Sequence, residues 1–295
     1  MGAVEEQMIK LRDTFFALAA WLPFLIALLF FAVPLLMWIL SLHPLSTKYG
    51  YVLAIYFALV GRTLLISAAS ALLALLGGSA TACIAVFSSR KTMSFLTLMM
   101  TVPLLMGFVA RNYAWVGLLS QFAGNTHWIL VATISRALLY RWLGVVLVMG
   151  TVFIPFCYFI TLQGFALLSH DMLEAARTLG ATGPTIFWNV ILPNIRRALF
   201  IAYSLSLILA VGYFITPALI GGGNFEFMGN GVLRLLNDLG FTAEASLLAL
   251  LLLLTVLLPL ITVAWWVFIA KKRKEKAALT GVIESSLGRV ASRAN

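Results

Sequence analysis

The chain predicts an all-α integral membrane protein with six transmembrane helices, and three observations carry that prediction. Of its 295 residues, 62% are hydrophobic and only 10% charged, against about 25% charged in an ordinary soluble domain. Six long segments are apolar and hold no charged side chain, and a helix needs about 20 such residues to cross the roughly 30 Å hydrocarbon layer. The basic residues gather at the ends of these segments, as topology signals do. Backbone groups in lipid must be satisfied within their own segment, so helices are forced, and such long continuous runs exclude a membrane barrel.

Residues 1–17 form a tail in which Val4, Met8, Leu11 and Phe15 fall on one helical face, which fits either a surface-lying helix or an extension of the first span. The first span, Leu18 to Leu40, is 23 residues long, too long for a signal-peptide core, so it is expected to stay as an anchor. With its outer loop it occupies residues 18–55. Residues 56–270 form the main membrane domain, with spans at Leu64 to Phe87, Met93 to Ala110, Leu143 to Leu168, Ala198 to Ile220 and Ser246 to Ala270. Pro34, Pro103, Pro155 and Pro217 lie within spans, where each leaves a backbone carbonyl without its helical donor.

Asn112 to Ser135 also lacks charge and carries Trp115, Phe122 and Trp128. Parity excludes it as a seventh crossing. If Arg90-Lys91, Arg196-Arg197 and the basic tail all face the cytoplasm, an even number of spans must separate each pair. The stretch is therefore expected outside, with its aromatics at the interface. With six spans, 14 of the 20 Lys and Arg residues fall on the cytoplasmic side together with both termini, as the positive-inside rule requires. Arg62, Arg111, Arg136, Arg141 and Arg234, together with Lys48, are left outside, most of the arginines as headgroup contacts. Residues 271–295 are a basic cytoplasmic tail, suited to anionic lipid.

Several function classes are excluded. The net charge of +10 has no nucleic-acid recognition motif beside it. Cys83 and Cys157 are far apart within apolar runs, and His43, His127 and His170 are scattered, so neither a disulfide nor a metal site is expected. The spans hold no His, Asp or Glu, which leaves an intramembrane enzyme without a base, a carboxylate pair or ligands. Gly221-Gly222-Gly223 has no Walker lysine beside it, so it reads as a flexible loop and not as a phosphate cradle.

One polar segment interrupts this pattern. Between the fourth and fifth spans, residues 169–197 contain Glu174-Ala175-Ala176-Arg177-Thr178-Leu179-Gly180, then nine residues, then Val190-Ile191-Leu192-Pro193. Ser169 or Asp171 can cap a helix, and Asp171 and Glu174 favour its first turn. Gly180 falls where a helix end needs a left-handed residue, and Gly183-Pro184 restarts a helix with proline at an early position. The segment predicts helix, sharp turn, helix, with Leu192-Pro193 marking a change of direction into the fifth span.

This spacing resembles the signature of binding-protein-dependent ABC importer permeases, the MetI-like family, at every fixed position except Val190, which stands in for Ile. The resemblance implies a MetI-like fold whose loop is a coupling helix seated in a cytoplasmic ABC ATPase dimer. Glu174 would pair with a basic residue of the ATPase, Ala175 and Ala176 would be close contacts, Gly180 would supply the turn, and Val190, Leu192 and Pro193 would complete the element. ATP and Mg would be bound by the partner, leaving no cofactor on this chain. Other implied partners are a second permease subunit and a periplasmic or lipid-anchored solute-binding protein, at a bacterial inner membrane.

Further segments are similar to a narrower group. Gly61-Arg62-Thr63-Leu64, Pro103-Leu104-Leu105 leading to Arg111-Asn112-Tyr113, and Thr216-Pro217-Ala218-Leu219-Ile220-Gly221-Gly222-Gly223 look like the PotB-like spermidine/putrescine permeases. That likeness implies a polyamine substrate and a pathway using Arg111, Asn112, Tyr113, Tyr158, Tyr213 and Thr216. The charges point less clearly, because a polycation wants carboxylates or aromatic faces, whereas the spans have no acid and Arg111 would as readily receive an anionic group. Opines, phosphonates and other small organic solutes stay open as substrates. An ATPase-independent channel or assembly component fits the spans but leaves the signature loop unexplained.

Overall fold

The structure is a computed structural model that describes residues 49–124, 129–222, 226–237, 243–257 and 259–262, with Leu29, Val33, Leu36 and Trp265 as single positions. The expected first span, the amino tail, the basic carboxyl tail and Gly223 lie outside the described residues, apart from those single positions. All regular structure among the described residues is helical. In chain order it comprises α1 (Tyr49–Phe87), α2 (Arg90–Leu105), α3 (Phe108–Ala123), α4 (Ile129–Leu138), α5 (Trp142–Ala166), α6 (His170–Thr178) and α7 (Gly183–Ile186). A π-helical turn (Phe187–Ile191) then leads into α8 (Leu192–Val211), α9 (Ile215–Ile220) and α10 (Met228–Asn237). The last described helix, α11, runs Ala243–Thr262.

By length and composition, four described helices can cross a membrane: Gly50–Phe87, Trp142–Ala166, Gly183–Val211 and Ala243–Thr262. The bent pair α2 and α3 makes a fifth if it counts as one span. The centre is α5, whose buried face includes Val145, Val148, Met149, Val152, Phe153 and Cys157. Glycines let its neighbours approach. A Cβ on Gly78 would lie 2.6 Å from Cys157 Cβ and 2.7 Å from Ile154 O, and one on Gly77 would meet Ile154 Cδ1 at 3.0 Å. Small residues at such seams bring backbones close in lipid, where no hydrophobic force drives helices together.

These contacts also fix direction. Ile66 packs in one cluster with Val145 and Val148, Leu73 meets Gly150, Gly78 meets Cys157, and Phe87 meets Phe165 edge-on at 6.0 Å. The numbers rise together, so α1 and α5 run parallel. The intervening chain must therefore return to the starting side, making an odd net number of crossings. Helix α8 runs the other way, with Ala198 against Gly164 and Ser206 Oγ 3.1 Å from Cys157 Sγ. A satellite cluster joins Val52 and Leu59 of α1 to Met228, Leu235, Ala245 and Leu248. At 39 residues, α1 is roughly 58 Å long, about twice the hydrocarbon layer.

The structure corrects three sequence expectations. The third span is not a straight helix from Met93 to Ala110, because α2 stops at Leu105 and α3 leaves it at 102°. Gly107, without a side chain, stands at the N-cap of α3. The stretch from Asn112 is not merely an outer interfacial segment, since one face of α3 packs into the bundle, where Arg111, Asn112 and Leu119 are buried. Leu192-Pro193 marks no change of direction, because the apolar helix is continuous over Gly183–Val211. The missing Pro193 N–H is absorbed by the widened turn before it, in which Leu192 N–H reaches back to Phe187 O.

Candidate functional site

Two groups of sequence-singled residues form distinct sites. At the end of the bundle where α1 and α5 finish, α6 begins after Ser169 and carries Asp171 in its first turn and Arg177 in its last, each at the pole its charge favours. It ends on Gly180, whose φ is 77°. Ala181 N–H donates to Ala176 O at 3.1 Å and Gly180 N–H to Arg177 O at 2.9 Å, the paired bonds of a Schellman helix end. Proline then sits in the first turn of α7.

This short helix has two faces. Leu173 and Ala176 pack inward, together with Ala181 of the turn and Val190 of the π-helical turn, against a cluster containing Phe165, Ile186, Ile191 and Ile195. Asp171, Met172, Glu174, Ala175, Thr178 and Gly180 are exposed. Leu179 is 87% exposed and Trp188 64%. Of the two alanines, Ala175 faces out, whereas Ala176 is half-buried in the chain's own core. Leu192 is partly covered and Pro193 exposed. A cleft of about 320 Å³ beneath α6 is lined by Val86, Phe87, Phe165, Leu168, Leu173 and Arg177.

The second site is polar and deep. Thr216 Oγ1 donates to Asn112 Oδ1 at 2.6 Å, and Asn112 Nδ2 donates to Tyr213 Oη at 2.7 Å. The same amide nitrogen returns a bond to Phe108 O at 2.7 Å. Asn112 and Thr216 are fully buried, so this network joins α3 to the break between α8 and α9. Beside it, Arg111 is 8% exposed and its Nη1 donates to Val152 O at 3.2 Å. Pro155 withholds the N–H that the Thr151 carbonyl would receive, and Val152 offers the next carbonyl along. The guanidinium lies 5.4 Å from the Phe108 ring centroid. Phe108 and Phe153 in turn flank Tyr213 at 5.6 and 5.7 Å.

The structure therefore gathers Arg111, Asn112, Tyr213 and Thr216 from two regions of the chain about a hundred positions apart. Tyr113 points away and is 58% exposed. Tyr158 belongs to a different cluster, where its hydroxyl is 2.8 Å from Thr97 Oγ1. The sequence reading missed Phe108 and Phe153, which look like ordinary span aromatics; position four residues before Asn112 is the one signal that marks Phe108. Among the described residues no group of His, Cys, Asp or Glu is arranged to hold a metal. A larger cavity of about 600 Å³, lined by Gly61, Arg62, Leu65, Ile66, Ala69, Trp142 and Val146, is apolar in most of its wall.

With this geometry in place, comparison decides the family. Residues 74–276 match the binding-protein-dependent transport system inner membrane component family. The chain belongs to that family. The permease is also 34% identical over 110 residues to a probable ABC transporter permease protein, y4fN, of Sinorhizobium fredii; the match covers 37% of this chain but only 19% of that relative's length. Its fold is shared by the inward-facing MetNI methionine ABC transporter, at 17% identity and a TM-score of 0.58, over 76% of this chain and 98% of that one. A bacterial ABC transporter involved in import of the acidic polysaccharide alginate matches at 15% identity and a TM-score of 0.65, over 86% of this chain and 97% of that one. The same alginate system with a pentasaccharide-bound periplasmic protein gives 15% and 0.66, over 85% and 94%. The family is one of inner-membrane transport components, and the described helices include four long and apolar enough to cross a membrane.

Proposed function

We propose that this permease forms, with a second permease subunit, the translocation pathway of an ABC importer, and that α6 and its turn seat in a cytoplasmic ABC ATPase dimer. The observation that carries the reading is the outward face of Glu174, Ala175 and Leu179 on a helix whose inner face is anchored in the bundle. A solitary soluble loop would bury Leu179 or replace it, whereas a docking helix presents it. Glu174 would supply a charged contact, Ala175 a close one, and the left-handed Gly180 would hold the turn. Val190 and Leu192 brace the element from within, and Pro193 leaves it. ATP and Mg would be bound by the ATPase alone. A solute-binding protein would deliver cargo at the opposite face; the alginate ABC transporter with which the fold is shared is itself in complex with a pentasaccharide-bound periplasmic protein.

For the solute, the PotB-like segments favour a polyamine, while the buried charge at the deep site is positive. The reading that rests on this structure is therefore a small polar solute. Mild-detergent co-purification of the tagged chain from its native host, followed by mass spectrometry, tests the assembly. A nucleotide-binding subunit and a second permease at near-stoichiometric amounts are expected. Recovery of the chain alone, in a preparation that preserves other membrane complexes, would return the balance to an ATPase-independent channel or assembly component.

A further inference from the structure

We infer that Arg111 is a binding residue for an oxyanion, so that the solute crossing this permease carries a carboxylate, phosphate or phosphonate group. The inference rests on the permease reading above and names the substrate class of its deep site.

Val152, whose carbonyl receives Arg111, lies close to the midpoint of the 25-residue span α5. A charged side chain at that depth is costly, and membrane proteins place one there where it pairs or serves a pathway. Among the described residues no carboxylate is recorded in an ion pair with it: from Leu64 to Ile220 the only acids are Asp171 and Glu174, both on the exposed face of α6, and Glu226 is paired with Arg234. The local contacts leave the guanidinium unsatisfied. One amino group bonds a single backbone carbonyl, and Nε is buried with no hydrogen-bond partner. A guanidinium offers five N–H donors in a planar fork that matches two oxygens of a carboxylate or phosphonate.

The surroundings suit such a guest. The Phe108 face neutralises no charge but limits water around the cation, and the hydroxyl and amide of Tyr213 and Asn112 stand beside it, already ordered by Thr216. A polyamine would bring further positive charge to a buried cation in a low-dielectric setting, where repulsion is poorly screened. The same residues that resemble a polyamine permease in sequence therefore build an electrostatic environment of the opposite preference.

The test uses the complete permease complex in phosphatidylcholine nanodiscs and saturation-transfer NMR with three probes: methylphosphonate, propionate and putrescine. Transfer to both anions and not to putrescine is expected. Arg111→Gln should abolish it, and Arg111→Lys, which keeps the charge but loses the fork, should weaken binding roughly tenfold. Thermal midpoints of the unliganded variants identify a misfolded protein, and the wild-type selectivity stands without any variant. Transfer to putrescine alone, no transfer from either anion, or anion transfer unchanged in Arg111→Gln would overturn the inference. Loss of the anion signal when phosphatidylglycerol is added to the discs would assign Arg111 to lipid headgroups and also overturn it. A complex that retains its ATPase yet binds only putrescine would refute the anion site while leaving the importer reading intact.

Discussion

Gly180 shows how one dihedral angle serves a loop. Its φ of 77° costs an L-residue roughly 1–2 kcal/mol, and a β-branched side chain resists the conformation further. A Cβ built there would meet nothing within 4 Å, so the penalty of substitution is conformational and not a clash. Gly180→Val is expected to leave the chain in the membrane while uptake falls about tenfold or more relative to ATP hydrolysis, and Gly180→Asn, which tolerates the left-handed region, is expected to be mild. Parallel uptake and hydrolysis assays on the assembled transporter check this, and normal coupling in the valine variant would remove the turn from the mechanism. The turn was legible because its determinants are local: a glycine at the right offset, then Gly183-Pro184. The Arg111 environment was not, because no local signal says that residue 111 meets Val152, 41 positions further along, and lies beside Tyr213.

Among the elements, the seam between α1 and α5 sets the architecture. Gly78 faces Cys157 Cβ and Ile154 O at 2.6 and 2.7 Å, distances that one added methyl group violates with backbone on the receiving side. Gly78→Ala should lower stability by about 1–3 kcal/mol through overpacking. Gly61→Ala, on the same helix with open space around its Cβ, should be neutral or raise stability slightly. Thermal midpoints in one detergent separate the two, and equal midpoints would mean that the seam yields freely. Helix existence here was readable from apolar length alone. Helix ends were not: α1 begins at Tyr49 although Leu64 opens its uncharged run, because Arg62 at the edge of an apolar segment does not stop a helix whose propensity continues. The sequence placed the start of the fifth span at Ala198, whereas the helix runs unbroken from Gly183, since proline is tolerated both in a first turn and after a π-helical turn.

For the whole molecule, directions of packing yield a topology. Parallel α1 and α5 put Arg90 and α6 at one end, and the single described span Gly183–Val211 places α10 at the other. With Cys83 replaced by Ala, a cysteine at Thr178 and one at Asn237 should react with a membrane-impermeant maleimide from opposite sides: the first only after the cells are opened, the second in intact spheroplasts. Labelling of both from the same side would contradict the assigned path. Basic residues anticipated that α6 shares an end with Arg90, because charge bias acts along the chain. The packing of α11 on α1 was out of reach, since a segment apolar on nearly every side carries no mark of which neighbour it meets.

The unbroken helix from Gly183 to Val211 has a mechanical consequence. Its 29 residues make a rod of roughly 43 Å, with the exposed turn at one tip and the Tyr213–Asn112–Thr216 hydrogen bonds just past the other. Had Leu192-Pro193 formed a flexible elbow, a push on α6 would have been spent in bending. If it pivots as a stiff lever about its middle, the rod would turn a tilt of about ten degrees at the loop into a swing of a few ångströms at the far tip. That swing is comparable with the length of the hydrogen bonds it would have to break.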